Sequence, residues 1–198
     1  FLANEHDVYG VFSDRKSVHK TDTFSLDLTD GLLVKEAFTE FSKQCQVDAI
    51  LHLASGMAST DQTEKVELLK NNITITENIV SIAKILNPSI FINFSSMAVY
   101  PNISGTFSED SVPGPQENPD CLYGLSKYCA EVMLDFLLRN ESIRIMHLRI
   151  GQVYGKGMRE DRIISVMLKE LKESNTITVY GEGERTSNFI EISKPTKE

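Results

Sequence analysis

Residues 49–94 read AILHLASGMASTDQTEKVELLKNNITITENIVSIAKILNPSIFINF, and this stretch decides the fold class. Its two ends, Ala49–Leu53 and Ile90–Phe94, are short, mostly apolar runs, which are typical of buried strands. A long helix is predicted between them, from about residue 62 to residue 86. It ends before Pro88, because proline disfavours the helical conformation in the residue that precedes it. A strand, a long helix and a second strand predict parallel strands joined by a crossover helix.

The same alternation continues on both sides of this unit. Asp30 is well suited to cap a helix, and residues 101–120 are rich in Pro, Gly, Ser and Asn, which predicts a loop. Alternating strands and helices predict an α/β fold with a doubly wound, mostly parallel sheet. The further predicted strands are Asp7–Phe12, Phe24–Leu26, Ile143–Leu148 and Ile177–Tyr180, and the further helices are Asp30–Gln44, Tyr123–Arg139 and Asp161–Glu173.

The composition disfavours several classes of partner. The 198 residues carry a net charge of −8, and no long Lys/Arg cluster interrupts that balance. A nucleic-acid partner is not expected, because phosphate binding needs a basic surface. No apolar run approaches the roughly 20 residues of a membrane span, so we expect no membrane partner. Cys45, Cys121 and Cys129 form no C-x-x-C pattern, which favours reduced thiols in the cytoplasm over a disulfide framework or a metal site.

The most informative chemical pattern is YGLSK at residues 123–127. Tyr123 and Lys127 are four residues apart, so a helix presents both side chains on one face. A phenol has a pKa near 10 and is a poor base at neutral pH, but a nearby ammonium favours the phenolate. Such a pair can move a proton to or from a hydroxyl group. Taken alone, the spacing also fits an ordinary amphipathic helix.

A second pattern is NFSSMAVYP at residues 93–101, which follows a predicted strand at its carboxyl end. Open α/β sheets bind their ligands at that edge. The hydroxyl of Ser96 can therefore bind a substrate oxygen. The alternative is that the serine pair ends the strand or caps a turn.

Together these two patterns resemble the extended short-chain dehydrogenase/reductase family, the NAD-dependent epimerases and dehydratases that modify nucleotide sugars. The shared elements are S-S-x-x-V-Y followed by Y-G-x-S-K. Four further segments resemble family motifs in the same order: DLTD at 27–30, HLAS at 52–55, NNI at 71–73 and LRIGQVYG at 148–155.

The resemblance implies a Rossmann-like dinucleotide-binding domain at residues 1–175 and the start of a substrate-binding lobe at residues 176–198. It also implies that the first central strand, its G-x-x-G-x-x-G phosphate loop and most of the substrate lobe are missing from this chain. We therefore expect the natural protein to extend beyond both ends.

The resemblance also assigns roles to individual residues. Tyr123 corresponds to the catalytic acid/base, Lys127 to its partner, and Ser96 to the hydroxyl that binds the reacting oxygen. His52 is interpreted as a satisfied core residue. The implied cofactor-binding residues are Asp27, Leu28, Leu53, Ala54, Asn71, Tyr123, Lys127 and Ile150, and the implied substrate-binding residues are Ser96, Met97, Gln152 and Arg185.

The residues after the strand at 7–12 bear on the choice of cofactor. Asp14 is acidic and stands where a carboxylate can bind the 2′-hydroxyl of the NAD ribose. Arg15 and Lys16 follow it, and basic groups there could accept the 2′-phosphate of NADP. NAD is the preferred cofactor, with NADP as the alternative.

These features predict an oxidoreductase or epimerase that acts on a nucleotide sugar, with Tyr123 as the acid/base, and we expect a homodimer. Met97 and Ala98 stand where the family's 4,6-dehydratases have an Asp-Glu pair, which makes dehydration the less expected reaction. One alternative is an NADPH-dependent reductase of a keto-sugar or another ketone. An alternative of a different class is a non-catalytic, dinucleotide-binding regulator.

Overall fold

The computed structural model describes residues 5–13, 22–57, 65–111, 113–183 and 186–192 of the chain. Two short 3-10 turns are present: Met97–Val99 precedes the predicted loop at residues 101–120, and Pro115–Glu117 lies within it. Strands and helices alternate, so the α/β prediction is confirmed. Their order is β1 (Tyr9–Phe12), β2 (Asp22–Ser25), α1 (Gly31–Ser42), β3 (Ala49–His52), α2 (Lys65–Leu86), β4 (Ile90–Ser96), α3 (Cys121–Leu137), β5 (Arg144–Ile150), β6 (Gln152–Gly155), α4 (Ile163–Ser174) and β7 (Phe189–Ile192).

Three pairs of strands are parallel, as expected for this class of fold. β1 pairs with β2, and Val11 lies opposite Phe24. β3 pairs with β4, and the last residue of β3, His52, lies opposite Asn93. The other neighbour of β4 is β5, while β6 and β7 form a separate parallel pair. Parallel neighbours need a crossover connection, and α2 supplies it between β3 and β4.

The predicted strand at Ile177–Tyr180 is wrong. These residues are exposed and form no strand, and the structure has strands at β6 and β7. The backbone N–H of Thr178 donates to Oε2 of Glu170 at 2.8 Å. A side chain thus takes a donor that a strand ladder would need, which explains why the β-branched run stays outside a sheet.

By its internal contacts the chain forms two compact units, residues 1–149 and residues 150–198. The predicted cofactor and substrate domains, 1–175 and 176–198, divide at a different residue, and their assignment stays a prediction. Within the second unit, α4 has no buried residue among those described. No helix in the described part of the chain is both long enough and apolar enough to cross a membrane.

The core of the first unit lies where α1, α2, α3 and β4 meet. Phe91 and Leu134 are completely buried, and burying a side chain of this size contributes roughly 1.5–3 kcal/mol. Spacings of three and four residues along each helix bring its apolar side chains to this side. The buried apolar residues are Val34, Phe38, Ile79, Val80, Ile82, Ala83, Phe91, Leu134 and Leu138.

Side chains hold the loop before α1 in place. Oδ1 of Asp30 accepts from the backbone N–H groups of Leu32 and Leu33, both at 3.1 Å, which confirms Asp30 as the cap of α1. Nδ2 of Asn78, on α2, donates to the carbonyl of Leu28 at 2.8 Å. The segment after β2 is therefore anchored to both helices that pack beneath it.

Candidate active site at the carboxyl ends of the strands

The two serines at the end of β4 make different hydrogen bonds. Ser96 is half-buried and begins the 3-10 turn Met97–Val99, and its Oγ accepts from the backbone N–H of Ala98 at 3.1 Å. The turn-capping interpretation therefore holds, and this bond leaves the hydroxyl proton of Ser96 for another acceptor. Ser95 is buried and faces α3, where it donates to Glu131 at 2.5 Å.

A close backbone contact joins that turn to the beginning of α3. Gly124 is buried, and a Cβ built on it would lie 2.1 Å from the carbonyl oxygen of Ala98 and 2.9 Å from Cβ of Pro115. Only a residue without a side chain allows this approach. Because Gly124 directly follows Tyr123, the turn that starts at Ser96 is packed against the helical turn that carries Tyr123.

Tyr123 and Lys127 lie one turn apart on α3, as predicted. Tyr123 is half-buried, whereas only 4% of Lys127 is exposed. Burial lowers the pKa of Lys127 to about 8, and the charge of Glu131 opposes that effect. The ammonium is therefore present at neutral pH in a weakly hydrated place, where its field on a neighbouring phenol is stronger than in water.

Asn72 connects the loop after β3 to this helical turn, and the sequence interpretation missed it. Its Oδ1 accepts from the N–H of Gly56 at 2.7 Å, and its Nδ2 donates to the carbonyl of Gly56 at 3.1 Å and to Oγ of Ser126 at 3.0 Å. Ser126 in turn donates to the carbonyl of Tyr123 at 2.8 Å. The available signal was the NNI segment, but only its first asparagine was selected.

A second network lies one turn further along α3. Glu131 accepts from Ser95 and, through two nitrogens, from Arg149: Nη2 donates at 2.8 Å to Oε2 and Nε at 3.1 Å to Oε1. Arg149 also donates from Nη1 to the hydroxyl of Tyr100 at 2.8 Å and to the carbonyl of Glu109 at 3.1 Å. It thus ties the loop after β4 to both α3 and β5.

Strong electrostatics keep Glu131 ionised. Burial by itself raises the pKa of this carboxyl group, but hydrogen bonds from Arg149 and Ser95, with the charge of Arg149, bring it below its usual value. The hydrogen bond to Glu131 likewise raises the pKa of Arg149. The pair is therefore a buried ion pair throughout the neutral range. The sequence signal for Glu131 was its spacing of four residues from Lys127.

Polar side chains on neighbouring strands form a row beneath α3. Nδ2 of Asn93 is 3.0 Å from Nδ1 of His147, and Nε2 of His147 is 3.0 Å from Oδ1 of Asp135. His52 is buried, as predicted, but its Nδ1 makes no hydrogen bond with any described residue, so the expectation that it is satisfied was wrong. Burial, followed by the charge of Lys127, lowers the pKa of His52 to about 3.

The predicted adenine-side residues follow β2. Asp27 is exposed, and its Oδ1 accepts from the N–H and the hydroxyl of Thr29 at 2.9 and 2.7 Å, which lower the pKa of the carboxyl group. Oδ1 therefore holds the turn through two hydrogen bonds from Thr29. Leu28 is half-buried, and its carbonyl accepts the hydrogen bond from Asn78. Cofactor contact at both residues stays a prediction.

The other predicted cofactor and substrate residues are distributed over several elements. Leu53 is 61% exposed directly after β3, and Ala54 beside it is half-buried. Asn71 is exposed on α2, next to the buried Asn72. Met97 lies in the 3-10 turn, Ile150 ends β5, Gln152 begins β6 and is exposed, and Asp14 and Arg185 lie outside the described residues.

With this geometry established, comparison with known proteins decides the family. The model of the NAD dependent epimerase/dehydratase family matches residues 1–193. The chain belongs to this family.

Curated proteins match the chain at modest sequence identity. The Bacillus subtilis protein named as an uncharacterized UDP-glucose epimerase, YtcB, is 26% identical over 153 residues, which are 76% of this chain and 47% of YtcB. The dTDP-4-dehydro-6-deoxyglucose reductase of Escherichia coli is 27% identical over 164 residues, 78% of this chain and 49% of the reductase. The chain thus spans about half the length of these curated relatives.

Solved structures support the same fold. MoeE5, solved in complex with UDP-glucose and NAD, superposes with a TM-score of 0.76 at 23% identity over 96% of this chain and 61% of MoeE5. The superposition shows that the two chains share a Rossmann-like fold. The fold prediction is therefore confirmed.

Proposed function

We propose that this chain is the cofactor-binding part of an NAD-dependent enzyme that oxidises or epimerises a carbon of a nucleotide-linked sugar. The observation that carries the proposal is the close contact, at Gly124, between the turn that begins at Ser96 and the helical turn that carries Tyr123, one turn before Lys127 on α3. Family membership and matched relatives that are named for UDP- and dTDP-sugars support the substrate class.

The residues present fit a dinucleotide along the carboxyl ends of the strands. Asp27 has an exposed carboxylate there, Leu53 has an exposed apolar side chain, and Ala54 is small enough to allow close approach. We assign them, with Leu28, Asn71 and Ile150, to holding NAD. Bound NAD supplies the hydride acceptor for a sugar carbon, and NADP is the alternative.

The proton chemistry belongs to α3. The Tyr123 phenolate accepts the proton of the reacting sugar hydroxyl as that carbon is oxidised, and the phenol returns it when the carbonyl is reduced. The Lys127 ammonium stabilises the phenolate electrostatically. Ser96 donates its hydroxyl proton to the reacting oxygen and so orients it. The presence of Ser96, Tyr123 and Lys127 together disfavours a non-catalytic regulator, because binding a dinucleotide does not by itself require an acid/base and a hydroxyl for the reacting oxygen.

Reduction of a keto-sugar is the second candidate reaction, and the match to an E. coli reductase favours it. The side chains of Ser96, Tyr123 and Lys127 serve proton transfer in either direction. In the reductase, the phenol of Tyr123 protonates the developing alkoxide, and the product leaves after a single reduction. We assign Met97, Gln152 and Arg185 to the substrate in both reactions.

We also propose that the enzyme is a cytoplasmic homodimer. α3 carries Val132 and Phe136 four residues apart, and they are 50% and 61% exposed. An exposed apolar face of this kind is typical of an interface. Replacing Phe136 by Asp should convert a dimer to monomers in light scattering, whereas a monomeric wild type would contradict the assignment. The half-buried thiols of Cys45, Cys121 and Cys129 agree with a reducing compartment.

Titration calorimetry of the full-length protein with NAD, NADH, NADP and NADPH tests the cofactor, and we expect NAD or NADH to bind most tightly. A panel of UDP-, dTDP-, GDP- and CDP-sugars then tests the substrate, with NMR detection of an epimer separating epimerisation from stoichiometric reduction. Failure of all four dinucleotides to bind would overturn the proposal.

A further inference from the structure

The face of α3 that carries Tyr123 and Lys127 continues through Glu131. Residues 123, 127 and 131 are each four apart, so their side chains follow one another along the helix. Lys127 and Glu131 are each only 4% exposed. Two buried, oppositely charged groups on successive turns interact strongly, because little water is present to screen them.

Glu131 is immobilised to a degree that a simple counter-ion would not need. Its carboxylate accepts from two nitrogens of Arg149 and from the hydroxyl of Ser95. Arg149 comes from β5 and Ser95 from β4, so the carboxylate is held against two strands at once. Ser95 is followed directly by Ser96. The hydrogen bond that holds Glu131 therefore comes from the same strand end as Ser96, whose hydroxyl is predicted to bind the substrate.

The other groups around Lys127 do not replace the charge of Glu131. His52, from β3, interacts electrostatically with Lys127, but its imidazole is neutral near pH 7 because its pKa is about 3. His147, from β5, acts on Glu131. Tyr123 precedes Lys127 by one turn, and Asn72, from α2, binds the neighbouring Ser126 through an uncharged amide. Glu131 is the negative charge that opposes the effect of burial on Lys127.

We propose that Glu131 is a positioning residue for the reaction: clamped by Arg149 and Ser95, its carboxylate keeps the buried Lys127 ammonium charged and in place beside Tyr123. This inference rests on the proposed function. Without the carboxylate, burial is unopposed and Lys127 loses its proton at lower pH. The phenolate of Tyr123 then loses its stabilising cation, and turnover falls on the alkaline side of the pH profile.

Glu131→Gln tests the charge with almost no change in shape. The titration of Lys127 is followed by NMR of the isotope-labelled full-length protein, with Lys127→Met to assign its signal. We expect the Lys127 midpoint to fall by roughly one pH unit or more, the usual effect of losing a nearby opposite charge. The alkaline limb of the kcat profile should move to lower pH by the same amount. Glu131→Asp should restore much of the Lys127 midpoint and much of the position of that limb.

Asp135→Asn is the matched control, since Asp135 is the next residue of the same face but is exposed and pairs with His147. It should leave the Lys127 midpoint within about 0.2 of wild type. If Glu131→Gln does not fold because Arg149 is left unpaired, the double variant Glu131→Gln with Arg149→Met removes the whole pair. In that variant we expect the Lys127 midpoint to fall by a smaller amount. An unchanged Lys127 midpoint in whichever of the two variants folds overturns the proposal.

The NMR midpoint needs no substrate, so it separates this inference from the proposed function. A lowered Lys127 midpoint together with full activity of Tyr123→Phe would refute the acid/base assignment while leaving the electrostatic link intact. A lowered midpoint with an unmoved alkaline limb of kcat would refute the role of Glu131 in the reaction.

Discussion

The carbonyl of Ala98 and the α-carbon of Gly124 are in contact so close that a single methyl group at position 124 would lie 2.1 Å from the oxygen. These residues belong to the turn after β4 and to the first turn of α3. Their contact is what brings the two halves of the candidate active site together.

Gly124→Ala should therefore separate the turn from the helix. Alanine favours a helix over glycine by roughly 1 kcal/mol, but the clash with a backbone carbonyl cannot be relieved by a rotamer change, and overpacking typically costs about 1–3 kcal/mol. We expect lower stability in urea unfolding and a greater loss in kcat than in cofactor affinity. Gly114→Ala is the control, because its Cβ would meet only the end of the Gln116 side chain, at 3.2 Å. A wild-type kcat for Gly124→Ala would contradict this account.

Tyr123→Phe keeps the ring and removes only the hydroxyl. General acid–base catalysis contributes a factor of about 10² to 10⁴, so we expect kcat to fall by that factor while NAD affinity is largely retained. Tyr128→Phe, on the same helix, controls for the loss of a tyrosine hydroxyl and should be fully active. Turnover of a confirmed substrate by Tyr123→Phe at the wild-type rate would disprove the proton-transfer assignment.

Lys127→Met removes the cation beside the phenol. We expect lower kcat and weaker NAD binding, and a rise of about one pH unit or more in the apparent pKa of the acidic limb of the kcat profile. The direction follows because a phenolate without a nearby positive charge binds its proton more tightly. Lys84→Met, at an exposed position of α2, should change neither quantity. An acidic limb at the same pH in Lys127→Met would show that this charge does not act on the base.

The adjacent asparagines on α2 provide a matched pair of variants. Asn72→Ala leaves the N–H of Gly56 without its partner and cuts the link to Ser126, which should cost about 1–3 kcal/mol in stability and weaken NAD binding. Asn71→Ala changes an exposed side chain and should leave stability within about 0.5 kcal/mol. Its effect on NAD affinity tests the predicted cofactor contact of Asn71. Equal stability of the two variants would contradict the role given to Asn72.

His52 should make the protein sensitive to mild acid. Its pKa is about 3 in the folded chain and 6.5 ordinarily, so the unfolded chain takes up the proton first as the pH falls below 6.5. The stability contribution is fully present above pH 6.5 and declines down to about pH 3. Between pH 6.5 and pH 5 we expect wild type to lose about 2 kcal/mol more than His52→Leu in urea unfolding. Parallel pH profiles for the two proteins would refute the buried neutral imidazole.

Much of the fold could be predicted because its signals are local. The helix from residue 65 to residue 86 ends where Pro88 forbids its continuation, and Asp30 caps α1 through two N–H groups in the next turn. The strand predicted at Ile177–Tyr180 failed because its apolar pattern says nothing about Glu170, whose carboxylate takes the N–H of Thr178.

The sequence by itself determined the alternation of strands and helices and the shared face of Tyr123 and Lys127. Both follow from backbone periodicity over a few residues, and the spacing of four would also have extended that face to Glu131. Tertiary structure alone decided that Arg149 and Ser95 clamp Glu131, that Asn72 rather than Asn71 is buried, and that Nδ1 of His52 has no hydrogen-bond partner among the described residues. These outcomes depend on which side chains meet when distant elements pack, and no local spacing specifies such meetings.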